Sequence, residues 1–225
     1  MKNTFYYILI ASCFLNIHAI AWNDQTHISV GKAAGFKLAY NLAAPDVAKL
    51  KAKNIEAFNH YVDVPKFAII TADIVRKQIE NYNSPTDSTG HLYGAIVVAV
   101  RDYIRESKQG KSGRYNLCYA GHYIGDLSMP LHNMDYNEFN KKNHFSNDDI
   151  IESEISDNLD KIIITEIKIE NEDDLINAIV EIANESRNLA YKLEGEQRNM
   201  TKEEAYWRIS RSSSLFKAVL KFVGF

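Results

Sequence analysis

Histidine and aspartate residues in the middle of the chain have the spacing of metal ligands. His122 is followed four residues later by Asp126, and His144 is followed four residues later by Asp148. On a helix, positions i and i+4 lie on one face, so each pair can converge on a single point. Neutral imidazole and carboxylate are the ligands that zinc accepts when no thiolate is available. Each pair therefore has the donor atoms for a zinc site.

A third histidine strengthens this interpretation. His132 lies just beyond Pro130, where the chain must leave a helix and can fold back toward it. A single His-x-x-x-Asp pair is a weak signal, because helix salt bridges produce many such pairs. Two pairs and His132 within residues 122–148 together predict a metal site. His60 fits no such pattern, and we interpret it as an ordinary core or surface histidine. Cys118 is interpreted as a small buried apolar residue.

The elements that must position these residues are helices. After Trp22, apolar residues recur at helical spacing, with no sustained period-two alternation. The pattern predicts an all-α fold, a single-domain bundle of about seven to eight helices over residues 22–225. The predicted helices run from Pro45 to Phe58, Phe67 to Tyr82, Gly94 to Glu106, Arg114 to Leu127, Asn143 to Ile163 and Asp173 to Leu193, with a last one that starts at a capping box of Thr201 and Glu204.

The N-terminus has the three parts of a secretory signal peptide. Lys2 precedes an apolar run from Phe5 to Leu15, and Ala19-Ile20-Ala21 is an A-x-A cleavage site. The run is shorter than the roughly 20 residues that span a bilayer, and nothing downstream is longer and as apolar. We therefore expect a signal peptide over residues 1–21 and a secreted or periplasmic protein. Ile10-Ala11-Ser12-Cys13 also matches a lipoprotein box, but the apolar run continues past Cys13, which disfavours a lipid anchor there.

Composition excludes several other classes of protein. Of the 225 residues, 46% are hydrophobic and 24% are charged, as in soluble globular domains. The net charge of −3 gives no electrostatic reason to expect a large basic groove for nucleic acid. Cys13 leaves with the predicted signal peptide, so Cys118 has no partner for an intramolecular disulfide. Stability must therefore come from a packed core.

The stretch from His122 to His132, His-Tyr-Ile-Gly-Asp-Leu-Ser-Met-Pro-Leu-His, resembles the signature of a known superfamily. It is similar to that of the zinc-dependent phospholipases C and the S-one/P-one nucleases. Members of this superfamily share an all-α fold with three zinc ions in one cleft. The resemblance therefore implies a trinuclear metal cleft in this chain.

Further positions of the chain resemble the remaining zinc ligands of the superfamily. The mature chain of its members begins with a tryptophan whose amino nitrogen and carbonyl oxygen bind zinc, and Trp22 follows the predicted cleavage site. His27 resembles the next ligand. Thr-Ala-Asp73 and Gly-His91-Leu-Tyr resemble an aspartate and a histidine ligand, with Asp63 as a rival for Asp73. Asn-His144-Phe-Ser-Asn-Asp148 resembles the closing pair.

The resemblance implies three zinc sites. Asp73, His91, His122 and Asp126 would hold one ion, and His132, His144 and Asp148 a second. Main-chain atoms of Trp22, with His27 and a shared Asp126, would hold the third. Clustered cations neutralise a phosphodiester and lower the pKa of bound water from ~15.7 toward ~7. Asp73 is the candidate catalytic residue, as an acceptor of the proton from water.

The substrate is less determined than the chemistry. The short step from Trp22 to His27 resembles the nuclease branch, whereas the short gap from His132 to His144 resembles the phospholipase branch. We expect a phosphodiesterase of phospholipase C type that acts on phospholipid headgroups, with transient contact to a membrane surface. The alternatives are a nuclease for single-stranded nucleic acid and an exported helical protein that binds zinc without catalysis. Nothing in the sequence indicates an oligomeric state.

Overall fold

Helices make up the regular structure of residues 22–225, the part of the chain that the computed structural model describes. Nine α-helices lie in this part, together with four short 3-10 turns and no strand. The α-helices are α1 (Asp24–Ala34), α2 (Ala44–Ala52), α3 (Asn54–Ala57), α4 (Ala72–Ile79), α5 (Leu92–Lys108), α6 (Arg114–Ser128), α7 (Glu138–Asp148), α8 (Glu172–Glu196) and α9 (Lys202–Phe222). The 3-10 turns are Ala39–Ala43, Pro130–Asn133, Ile155–Asp157 and Leu159–Lys161. The predicted all-α fold is confirmed.

Helix α6 lies at the centre of the fold. It packs against α5 along its length and also contacts α1, α2, α8 and α9. Twelve of its 15 residues are buried. Gly121 and Gly125 allow the neighbouring helices to approach, since a Cβ at Gly121 would lie 2.7 Å from the Phe216 ring of α9. A Cβ at Gly125 would lie 2.6 Å from His27 Nδ1 of α1. Helix α6 therefore brings α1 close to its own His122 and Asp126.

The predicted helix from Pro45 to Phe58 is two helices in the structure. Pro45 is in the first turn of α2, as expected. Lys53 then has φ +50°, in the left-handed region, which a continuous helix does not allow. Helix α2 ends at Ala52, and α3 starts a new direction.

The predicted helix from Asn143 to Ile163 is wrong. The structure has α7 over Glu138–Asp148, followed by turns. The side chain of Asn137 caps its start by accepting from Asn140 N. Beyond its end, the Glu152 carboxylate accepts hydrogen bonds from Gln25 N at 2.7 Å and Thr26 N at 2.9 Å. These hydrogen bonds pair backbone N–H groups in the first turn of α1, which have no partner within the helix. They also hold the chain after α7 in a non-helical path.

The predicted helix from Phe67 to Tyr82 begins later than expected. Residues before Ala72 are held as a loop, because the Arg187 guanidinium donates to Pro65 O at 2.9 Å and Ala68 O at 3.0 Å. Thr71 then caps α4 by accepting from Ile74 N. The capping box at Thr201 and the last helix are confirmed.

Residues 22–225 contain no helix with the length and apolarity needed to cross a membrane. The predicted signal peptide and the alternative anchor at Cys13 lie outside the described residues.

Candidate metal centre

Helix α6 presents His122 and Asp126 to the interior, and both side chains are fully buried. His122 Nε2 lies 3.4 Å from Asp126 Oδ2, as the i, i+4 spacing predicts. Around this pair lie three overlapping or adjacent groups of three ligand-type residues: His27, His122 and Asp126; Asp46, His60 and His122; and His132, His144 and Asp148. In each group the potential ligand atoms lie within 4.8 Å of one another. Three buried His/Asp groups that could hold metal ions are therefore present.

The first group joins α1 to α6. His27 Nε2 lies 3.3 Å from Asp126 Oδ1, and the His27 ring stacks on that of His122 with centroids 3.8 Å apart. Gly125 makes this approach possible, because any side chain there would occupy the space of the His27 ring. Trp22 lies next to this group. It is fully buried, and its indole Nε1 donates to Ser128 Oγ at 3.4 Å, near the end of α6.

The second group contains two residues that the sequence interpretation did not assign to the site. His60 Nδ1 lies 2.9 Å from Asp126 Oδ2 and 3.1 Å from His122 Nε2. Asp46 Oδ1 lies 3.8 Å from both His60 Nδ1 and His122 Nε2. No periodic spacing links Asp46 to His60, since the chain breaks at Lys53 between them. A buried polar position on a helix of otherwise apolar and basic residues was the available signal for Asp46.

The third group is formed by α7 and the turn after α6. His144 Nε2 lies 3.4 Å from Asp148 Oδ2, again as the i, i+4 spacing predicts. His132 Nε2 lies 3.0 Å from His144 Nε2. The chain folds back after Pro130 as expected, and His132 is buried against the segment that carries His60.

Hydrogen bonds to the outer nitrogens determine which ring nitrogen points into the centre. His122 Nδ1 donates to Leu42 O at 2.6 Å, and His132 Nδ1 donates to His60 O at 2.5 Å. His144 Nδ1 faces Asn140 Oδ1 at 2.7 Å. In a neutral imidazole, a proton on Nδ1 leaves a lone pair on Nε2. The lone pairs of His132 and His144 therefore face each other across 3.0 Å, an arrangement that a shared cation would satisfy.

Several buried polar atoms of the centre lack a hydrogen-bond partner. Oxygens of Asp46, Asp126 and Asp148, and both ring nitrogens of His27, are buried without a hydrogen-bond partner among the described residues. Buried polar atoms are normally paired, because leaving one unpaired costs about 1–3 kcal/mol. The donor set therefore fits divalent cations, which would bind the carboxylate oxygens and one ring nitrogen of His27.

The pKa shifts favour the unprotonated imidazole at some histidines of the centre. Burial, with the charge of His27 next in effect, lowers the pKa of His122 to about 3. Burial also lowers the pKa of His132 to about 4. Burial raises the pKa of the Asp126 carboxyl, but His122, His27 and His60 outweigh it and hold that pKa well below its usual range. His122 and His132 are thus neutral and Asp126 is ionised at neutral pH, as ligation requires. Burial and the charge of Lys49 lower the pKa of His60, but its hydrogen bonds to Asp126 and Glu56 outweigh them and raise that pKa.

Lys49 contributes a cation to the edge of this centre. It lies one turn after Asp46 on α2, and its Nζ is 2.7 Å from Asp46 Oδ1. Only 9% of the Lys49 side chain is exposed. An ammonium in this position compensates part of the buried negative charge and leaves protons directed at the site.

Asp73, expected as a ligand and as the catalytic residue, does not reach the centre. Its side chain is 95% exposed on α4 and pairs with Arg76 at 3.2 Å. The rival Asp63 belongs to none of the three groups either, and its backbone N–H donates to Thr89 O. Asp46, rather than Asp73, lies in a ligand group with His60 and His122. The helix α2 that carries Asp46 packs against α6, which brings Asp46 to the centre.

His91 also lies outside the three groups, although it is buried. Its Nδ1 contacts Asp87 Oδ2 at 3.1 Å, and its Nε2 contacts Asn59 Oδ1 at 2.8 Å. Asn59 in turn donates to Glu56, which contacts His60. His91 therefore supports the site through hydrogen bonds, and His60, rather than His91, belongs to a ligand group.

No protein-family model matches the chain, and no curated protein matches it. The geometry of the centre is therefore the basis for any functional conclusion.

Proposed function

We propose that the chain is a trinuclear-zinc phosphodiesterase of phospholipase C type, which hydrolyses the phosphodiester bond of a phospholipid. The observation that carries this proposal is the pair of adjoining His/Asp groups around Asp126, with a third group beside them. Three ligand groups in one buried region are more than a structural ion needs. Several clustered cations suit a substrate with a charged phosphodiester.

The residues would divide among three ions. Asp46, His60, His122 and Asp126 would hold one, and His132, His144 and Asp148 another. His27 and Asp126 would hold the third, with main-chain atoms of Trp22 as the resemblance implies. Imidazole and carboxylate in these proportions, without thiolate, favour zinc over magnesium or calcium.

Zinc in these sites would neutralise the phosphodiester charge and make hydroxide available near neutral pH. The chain itself contributes orientation and charge. Asp126 has both oxygens directed at different histidines, with Oδ1 toward His27 and Oδ2 toward His60, so it ties two sites together. The Lys49 ammonium would donate to a non-bridging phosphate oxygen and so hold the substrate at the edge of the centre.

A nuclease for single-stranded nucleic acid is the second candidate. Phe145, which follows His144, is 66% exposed, and Tyr136 is 48% exposed. Exposed aromatic rings beside a phosphodiester site suit the stacking of an unpaired base. The same metal centre would serve either substrate.

The test is a paired assay of the purified, zinc-loaded protein on phosphatidylcholine micelles and on single-stranded DNA at equal phosphodiester concentration. We expect lipid turnover that a chelator abolishes and zinc restores. Lys49→Met should lose most of this turnover while it retains zinc, and Lys77→Met, at an exposed position of α4, is the matched control. Turnover of DNA alone would select the nuclease. Zinc binding without turnover of either substrate would leave a non-catalytic zinc protein.

A further inference from the structure

The short helix α2 has its polar and apolar sides reversed relative to an ordinary surface helix. Asp46 and Lys49 face the metal centre, with 12% and 9% of their side chains exposed. Val47 and Leu50 face outward, and they are 60% and 75% exposed. Ile55, on α3 just beyond the break, is 48% exposed. An amphipathic surface helix normally buries its apolar side, so a partner outside the molecule would account for this face.

This apolar face is on a helix that carries a candidate ligand of the metal centre. Asp46, which belongs to the second ligand group, precedes Val47 directly. On the other side of the centre, Phe145 follows the ligand His144 and is 66% exposed. Exposed apolar residues thus flank the centre on two helices.

The charges on this face are positive. Between Val47 and Ile55 every charged residue is a lysine, although the whole chain has a net charge of −3. Lys51 and Lys53 are exposed, whereas Lys49 points inward. Apolar side chains interleaved with lysines are typical of helices that lie in the interface of a bilayer and are attracted to anionic lipids.

We propose that the outward face of α2 and α3, formed by Val47, Leu50, Lys51, Lys53 and Ile55, docks onto an anionic lipid bilayer. The apolar side chains enter the headgroup region, and the two lysines contact lipid phosphates. Docking in this orientation brings α2, which carries Asp46 and Lys49 on its inner side, onto the membrane surface. Its purpose rests on the proposed function, but the docking itself requires no turnover.

The test is sedimentation of the purified, zinc-loaded protein with vesicles of phosphatidylcholine alone or mixed with phosphatidylglycerol. We expect binding to the mixed vesicles that weakens as salt rises. Leu50→Glu should lower the partition coefficient at least about tenfold, from the lost burial of one leucine. Lys51→Gln and Lys53→Gln should each lower it about fivefold. Ile163→Glu is the matched control, because Ile163 is 62% exposed but lies outside this face.

A second measurement separates this proposal from the proposed function. Hydrolysis of a short-chain phosphatidylcholine in monomeric solution should be the same in Leu50→Glu as in the original protein, while hydrolysis of vesicles falls. If the protein binds vesicles but turns over neither substrate, docking stands and the proposed function fails. Binding that Leu50→Glu leaves unchanged would overturn docking. If the original protein binds no vesicles but forms a dimer that Leu50→Glu disrupts, the face is an interface with a second copy. If it binds no vesicles but binds DNA, and the lysine variants lose that binding, the face binds nucleic acid.

Discussion

Glu56 is not among the candidate metal ligands, yet the structure predicts that it controls the affinity of the centre for metal. Its side chain is buried, and Oε1 lies 2.7 Å from the Tyr123 hydroxyl, which donates to it, and 3.2 Å from His60 Nε2. Asn59 Nδ2 donates to Oε2 at 3.3 Å. His60 can direct a lone pair from Nδ1 toward the Asp126 side only if Nε2 carries the proton. The Glu56 carboxylate stabilises this tautomer.

The substitution Glu56→Gln keeps the size of the side chain and removes its charge. The amide can offer one oxygen to its three donors, and its NH₂ group cannot accept a proton from any of them. Loss of such a support for a ligating histidine lowers metal affinity by about 10–100-fold, or about 1.4–2.7 kcal/mol. We expect this loss in the ion held by His60 and Asp126. The ion at His132 and His144 should be affected less, because His60 contributes only its backbone carbonyl there.

The assay is a zinc titration in competition with a chromophoric chelator, with bound zinc counted after dialysis. Glu106→Gln is the matched control, since Glu106 also accepts from a tyrosine hydroxyl, that of Tyr115 at 2.7 Å, but at an exposed position. Circular dichroism establishes that each variant is folded. A folded Glu56→Gln protein that binds every zinc equivalent within twofold of the original affinity would refute the reasoning.

Four further substitutions or treatments test other parts of the structure. Gly125→Ala should displace His27 and remove the ion that His27 helps to hold, because the new Cβ would lie 2.6 Å from the His27 ring. We expect a loss of about 1–3 kcal/mol in the free energy of unfolding. Unchanged zinc content and melting temperature would contradict the described packing of α1 on α6. Asp73→Asn should leave zinc content and turnover unchanged, since its side chain is 95% exposed, and loss of one zinc equivalent would restore the original expectation. Chelation should lower the melting temperature, because it removes the stabilisation that bound zinc gives the folded state. This stabilisation is up to ~2.7 kcal/mol per site when free zinc is a hundredfold above its dissociation constant. An unchanged melting temperature would argue against metal in the buried centre. Cys118 should react slowly with a thiol reagent at pH 8 in the folded protein and rapidly in urea. Burial raises the pKa of its thiol to about 11, which leaves only about 0.1% thiolate at pH 8. Fast labelling of the folded protein would show that α6 opens.

Local patterns in the sequence were sufficient for the helical class and for half of the site. The i, i+4 pairs of His122 with Asp126 and His144 with Asp148 lie on helices, with the same 3.4 Å between their ligand atoms. The capping box at Thr201 and the turn at Pro130 are also local features, and both are present as predicted. In each case the residues that interact are within one or two turns of each other, so spacing alone determines the geometry.

The tertiary structure decided which distant residues complete the centre. Asp46, His60 and Asp73 all precede the central helix, and no spacing distinguishes a ligand among them. Packing does so, because α2 and the loop before Val62 lie against α6, whereas Asp73 projects into solvent from α4. The end of α7 was misjudged for the same reason, since Glu152 leaves the helical path to cap α1. The sequence by itself therefore determined the helical class and the two ligand pairs, and the tertiary structure determined how helices far apart in the chain surround Asp126.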